Sequence, residues 1–274
     1  MLWLGGLPSA AVAALGLLTA FAGYTAVYAL NDLVDYRVDR EKIREGGLQQ
    51  DGSYLDGALV RHPLAHGLLP LKDGLVWAGG WALVALAGAY LLNPVCAIVF
   101  LAGCVLETVY CLLLSVSHLR TLVSGVVKTL GGIAGVFAVD PAPSPWFLLL
   151  LVLWLFLWEI GGQNIPADWH DLEEDRCSQA QTLPVCYGPG GAGRISWGCL
   201  CLSVALSPLV LGLSPARLAW PLLAAALGCG LYLLLLPGWR LFRTQEREHA
   251  SALFNKASYY PLAILLVILA GFMF

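Results

Sequence analysis

The sequence predicts an all-α fold, a polytopic bundle of about eight transmembrane helices. Three observations predict it. The 274 residues are 59% hydrophobic and 12% charged, with a mean hydropathy of +0.75, more apolar surface than a water-soluble domain can hide. Eight segments approach the ~20 apolar residues that a bilayer crossing needs. Short alternating strands, the mark of a β-barrel, do not occur.

The segments follow in order. The first, 8–30, runs without a charge up to Asn31. The second, 74–92, follows Lys72 and Asp73, and the turn "LNPV" leads to the third, 95–115. The fourth, 121–139, begins after "SVSHLR" and carries Lys128 inside it. "VDPAPSP" introduces the fifth, 146–165. The sixth, 194–213, follows a long charged connection; "LSPAR" precedes the seventh, 217–236, and the eighth is 255–274. No basic stretch precedes the first segment, so a cleavable signal peptide is not expected.

A single domain over 1–274 is expected, with long charged loops at about 31–73, 166–193 and 237–254. An even number of spans puts those loops on one side, together with "SVSHLR". Nearly all Lys and Arg gather there, against Arg217 alone on the other side. By the positive-inside rule that side is cytoplasmic and both termini are outside, in a cytoplasmic membrane. The eight cysteines form no CxxC pair and are expected as apolar packing residues.

Two acidic clusters stand where apolar runs reach that side: "NDLVDYRVD" at 31–39 and "NIPADWHDLEED" at 164–175. On uniform helices of ~3.6 residues per turn, Asn31, Asp35 and Asp39 fan over ~80°, and Asn164, Asp168, Asp171 and Asp175 fall within ~60°. Glu159 then lies ~180° from Asp168 and points away, while Glu173 and Glu174 leave the stripe and are expected to be solvated. One such cluster is ordinarily a solvated helix end. Two matched ones repel internally and call for a cation, and hard oxygen ligands with room for water and phosphate oxygens suit Mg²⁺.

With these motifs the chain resembles the UbiA-type intramembrane prenyltransferase superfamily. "NDLVDYRVD" is similar to its first motif, NDxxDxxxD, and "DWHDLEED" to its second, DxxDxxxD. "HPLAHG", "RCSQAQTLPVCYG" and "FNKASYYPLAIL" resemble its first cytoplasmic loop, its continuation after the second motif and the start of its last helix. The resemblance implies a bundle of nine transmembrane helices around a central cavity, with the two motifs facing each other across it. It also implies a prenyl diphosphate bound through Mg²⁺, and transfer of the prenyl group to an aromatic or other lipophilic acceptor, in lipid or quinone biosynthesis. Membrane lipids are expected partners and nucleic acid is not. Three departures stand out: the first motif ends the first helix rather than the second, His62 occupies the family's Arg position before Pro63, and "EKIREGGLQQDGSYLDGALV" lengthens the first loop.

Carried onto this chain, the resemblance makes Asp35, Asp39, Asp171 and Asp175 metal ligands, with Asp32 and Asp168 as further ligands or their partners. Asn31 orients an oxygen or a metal-bound water. Arg61, Arg120 and Lys128 are the diphosphate-binding candidates, although Lys128 at that depth also fits a snorkelling side chain. Tyr24 and Tyr28, two turns and one turn before Asn31, either stabilise a carbocation or simply pack. Glu107 and Tyr110 either touch the acceptor or pack. His118, His170 and His249 show no metal-ligand spacing and receive no role. Two other readings remain: a cyclase that ionises the same substrate and closes its own chain, and a cation channel or transporter, which would carry carboxylates through the bundle.

Overall fold

The computed structural model describes residues 7–44, 62–213 and 219–272. Most of the lengthened first loop, Arg61 and Arg217 lie outside these residues. Every regular element among the described residues is a helix, without a strand among them. Among the described residues, seven helices are long and apolar enough to cross a membrane, so the chain is an integral multi-pass membrane protein. The elements form two compact units, which are described in turn.

One unit holds α1 (Ala10–Val34), α2 (Tyr36–Arg44), α3 (Leu71–Leu92), α4 (Pro94–Leu112) and α5 (Arg120–Phe137), with residues 173–182. Small residues let α1 and α3 approach closely: Ala22 and Ala26 are buried on one, Ala85, Gly88 and Ala89 on the other. A Cβ on Gly88 would fall on Thr19 Oγ1. Asn93 makes the turn into α4. Its side chain accepts from Val95 N (2.9 Å) and donates to the Phe137 carbonyl (3.0 Å), and Pro94 occupies the first turn, where no N–H is needed. The expected fourth span is present as α5, 18 residues packed along α4; Arg120, Lys128 and its polar and glycine positions make it less apolar than the seven.

The other unit holds α6 (Pro145–Trp158), a π-helical segment (Glu159–Asn164), α7 (Ile165–His170), α9 (Leu183–Leu213), α10 (Trp220–Gly230), a second π segment (Leu231–Leu235), α11 (Leu236–Thr244) and α12 (Arg247–Gly271). Between α7 and α9 lies α8 (Leu172–Cys177), most of which belongs to the first unit. The π segment answers Pro166, whose missing N–H leaves the Gly162 carbonyl without its helical donor. Gln163 Nε2 supplies that donor at 3.1 Å and also reaches the Phe254 carbonyl of α12 at 3.2 Å; Ser258 donates to its Oε1. Gly161 meets α9, where Ser196 Oγ donates to the Gly161 carbonyl (2.7 Å), and Gly162 meets Ala257 of α12. Trp158 Nε1 closes the arrangement on the Ala257 carbonyl. The segment that leads into the second acidic motif is thus clamped from two sides.

Three expectations change. The stripe Asn164–Asp175 is not carried by one helix: α7 ends at His170, Asp171 has φ −93° and ψ 12°, and α8 starts at Leu172. The uniform angle between Glu159 and Asp168 does not hold either, because the π turn lies between them. Residues 237–254 are not a loop but the end of α11 and the start of α12, separated only by Gln245 and Glu246. Here the charged residues extend helices beyond the apolar run, and hydropathy marks the membrane rather than the helix end.

A side chain at Gly161 tests the clamp. A Cβ there would lie 2.8 Å from the Ser196 carbonyl oxygen and 2.9 Å from Cys199 Cβ. Gly161→Ala should therefore lower stability by roughly 1–3 kcal/mol, an overpacking cost, while Gly198→Ala, which meets open space, should not. Thermal unfolding of both variants in detergent, with the same loss in each, would contradict the close approach.

Candidate active site

The end of α1 builds the first acidic site. Asp35 caps the helix with φ −83° and ψ −3°, and α2 resumes at once, so the i to i−4 bonds from Asp35 N to Asn31 O and from Asp39 N to Asp35 O persist at 2.9 Å each. The expected face of Asn31, Asp35 and Asp39 is therefore kept. Asp39 is buried, 5% exposed. His62 Nδ1 lies 3.1 Å from Asp32 Oδ1 and 2.8 Å from Asp39 Oδ2. Lys42 of α2 pairs with Asp175 at 3.5 Å, which brings the last aspartate of the second motif into the unit of the first. Residues 173–182 are held there by the bond from Gln181 N to the Leu114 carbonyl (2.7 Å). Glu173 is solvated as expected and pairs with Arg176 on the surface.

Helices α4 and α5 supply the next layer. Asn31 Nδ2 donates to Glu107 Oε1 (2.9 Å) and Cys111 Sγ (3.3 Å), which commits the amide nitrogen and presents Oδ1. Cys111 also hydrogen-bonds Asp35. Arg120 is buried at the start of α5, 6% exposed, with its guanidinium 4.2 Å from the centre of the Tyr110 ring. Glu107 and Tyr110 thus engage Asn31 and Arg120. Lys128 Nζ lies 3.5 Å from Tyr28 Oη and 5.1 Å from its ring centre. Tyr24 and Tyr28 remain half exposed, at 52% and 58%.

In the other unit the second motif holds a relay that its spacing did not reveal. Arg247 Nη2 lies 3.0 Å from His170 Nε2, and an arginine can only donate. Nε2 therefore accepts, Nδ1 carries the hydrogen and donates to Ser251 Oγ (2.7 Å), and Ser251 donates to the Arg247 carbonyl (3.3 Å). His170, buried between Asp168 and Asp171 in sequence, ties the motif to the first turn of α12. Asp168 and Asn164 are buried and Asp171 partly so.

The first site fits a divalent cation. Burial, then the charge of Asp39, pushes the Asp35 carboxyl up to about 6; the Cys111 bond and the charges of Arg120 and His62 offset this only in part. Asp39 Oδ2 is buried without a hydrogen bond despite its nearness to His62. Carboxylates so placed gain from an ion that accepts several oxygens at once.

A sequence profile of the UbiA prenyltransferase family matches residues 1–270. The chain belongs to the UbiA prenyltransferase family. Among solved structures, a UbiA homologue from Aeropyrum pernix K1 is 21% identical, with a TM-score of 0.73 over 99% of this chain and 92% of that one. A UbiA homologue from Archaeoglobus fulgidus, bound to DMAPP and Mg²⁺, is 19% identical, with a TM-score of 0.69 over 99% and 91%. A digeranylgeranylglyceryl phosphate synthase structure is 18% identical, with a TM-score of 0.69 over 98% and 88%. At these identities the likeness establishes the UbiA fold. No curated protein sequence matches the chain.

The raised Asp35 has a pH signature. The unfolded chain releases this proton near 3.8 and the folded apo protein only near 6, so its ionisation opposes folding. Stability should fall as pH rises from about 4 to about 6 and stay lowered above. In EDTA buffer, thermal midpoints of the parent should drop relative to Asp35→Asn across that window. A constant difference between the two would contradict the shift.

Proposed function

We propose that this UbiA-family chain transfers a prenyl group from a prenyl diphosphate to an aromatic or other lipophilic acceptor in the membrane, and that the reaction requires Mg²⁺. The observation that carries the reading is the half-buried carboxylate cluster at the end of α1, which is electrostatically incomplete without a cation. The DMAPP and Mg²⁺ of the Archaeoglobus fulgidus relative support it.

When bound, Mg²⁺ neutralises the diphosphate leaving group. Asp35, Asp39, Asp171 and Asp175 would hold it, with Asp32 and Asp168 as further ligands or their partners. Asn31, fixed by Glu107, presents Oδ1 to a ligand oxygen. Arg120, its guanidinium over the Tyr110 ring, and Lys128, with Arg61, take up negative charge on the diphosphate as the allylic C–O bond breaks and its electron pair leaves with oxygen. The faces of Tyr24 and Tyr28 stabilise the allylic cation until an acceptor carbon donates an electron pair and then loses its proton. The diphosphate enters from the cytoplasm, where the basic connections lie, while its tail stays in the bilayer.

Two experiments test this. Asp35→Asn and Asp171→Asn keep side-chain size and remove one ligand charge; each should lower diphosphate release by at least ~100-fold with the fold intact, and EDTA should do the same to the parent, reversibly with Mg²⁺. Folded variants that release diphosphate at the parent rate would end the reading. For orientation, a single cysteine introduced at position 2 of a cysteine-free protein should react with an impermeant reagent from outside. Reaction only from the cytoplasmic side would reverse the topology.

A further inference from the structure

His62 stands where an arginine is usual, and its surroundings give it a different task. Its φ is 53°, in the left-handed region that non-glycine residues rarely adopt. The other two such residues among those described, Gln179 and Gln245, follow the ends of α8 and α11, where left-handed caps are ordinary. His62 instead opens the turn that leads toward α3. The turn after it is fixed by bonds from His66 N to the His62 carbonyl (3.1 Å) and from Leu68 N to the Pro63 carbonyl (3.0 Å). Leu64 is buried against Gly74 of α3 and anchors the turn. The ring is thereby held against two carboxylates by a backbone conformation that costs energy.

One ring nitrogen faces both carboxylates. Nδ1 offers either one hydrogen or one lone pair, so it satisfies one oxygen, and the buried Asp39 Oδ2 makes no hydrogen bond. Asp32, Asp39 and His62 present their ligand atoms within 4.8 Å of one another. The two separations involving Nδ1, 3.1 and 2.8 Å, match the ~3.0 Å edge of an octahedron with ~2.1 Å metal–ligand bonds. A cation in place of the shared proton would satisfy all three atoms together.

We propose that His62 Nδ1 is a metal ligand with Asp32 and Asp39, and that this nitrogen makes the first-motif site prefer first-row transition cations such as Mn²⁺ over Mg²⁺. Imidazole suits the transition ions, whereas Mg²⁺ takes oxygen ligands. The inference rests on reading the first motif as a metal site and adds a ligand and a selectivity to it. No other described residue forms a comparable His-containing group.

The test uses the full-length protein in detergent, loaded with Mn²⁺. Pulsed electron paramagnetic resonance should show the ¹⁴N modulation of a coordinated imidazole. His62→Asn should abolish it, since asparagine tolerates the left-handed backbone but has no ring. The ratio of Mn²⁺ to Mg²⁺ affinity, measured by competition, should fall ~10-fold in that variant. Bound Mn²⁺ without imidazole modulation in the parent, modulation that survives in the variant, or an unchanged ratio would each overturn the proposal and leave the functional reading standing. Should the variant not fold, the parent spectrum alone decides. Failure of the parent to bind Mn²⁺ at all would remove both the proposal and the reading beneath it.

Discussion

Asp32, Asp35 and Asp39 lie within about two helical turns on a helix end that is largely withdrawn from water, and their mutual repulsion organises what surrounds them. Neighbouring nitrogen-bearing side chains gather around it. His62 adopts a left-handed backbone to reach Asp32 and Asp39. Arg120 is buried beside them with its guanidinium over the Tyr110 ring. Lys42 is drawn to Asp175. Even so, Asp35 keeps its proton to about pH 6 and Asp39 leaves an oxygen unbonded. A protein gains nothing in stability from this arrangement; it gains a place where a cation and a multiply charged ligand are favoured.

The second motif is prepared by backbone means. Pro166 breaks the regular hydrogen-bond ladder, the π turn and Gln163 repair it, and paired glycines let α9 and α12 close on the repair. The Arg247–His170–Ser251 relay then fixes the ring between Asp168 and Asp171 in one tautomer. Such π turns recur at functional positions, because they shift side-chain register without breaking the helix. Here the shift falls immediately before the acidic residues.

Much of this was legible in the sequence. Uncharged runs of span length gave the helices, and Asn and Asp at related spacings where two runs end gave both motifs. The α1 stripe survived because the bond from Asp39 N to Asp35 O keeps the helical rise across the cap. Helix ends were not legible, since charged residues such as those of 247–254 continue a helix as readily as they end one. The second stripe failed because Pro166 and the break at Asp171 change the turn per residue, which a uniform period ignores. The partners of Glu107, His62 and His170 are 76, 30 and 81 residues away in sequence, and only packing brings them together. His170 inside the second motif, without ligand spacing, pointed nowhere, and His62 signalled only that it stands in an arginine's place.

The central claim is that the acidic motifs bind a prenyl diphosphate only through a divalent cation. Calorimetric titration of the purified protein with an unreactive prenyl thiodiphosphate, in Mg²⁺ and again in EDTA, tests it most directly. The account predicts binding in Mg²⁺ and affinity at least ~10-fold weaker in EDTA. Equal affinity in both buffers would contradict it.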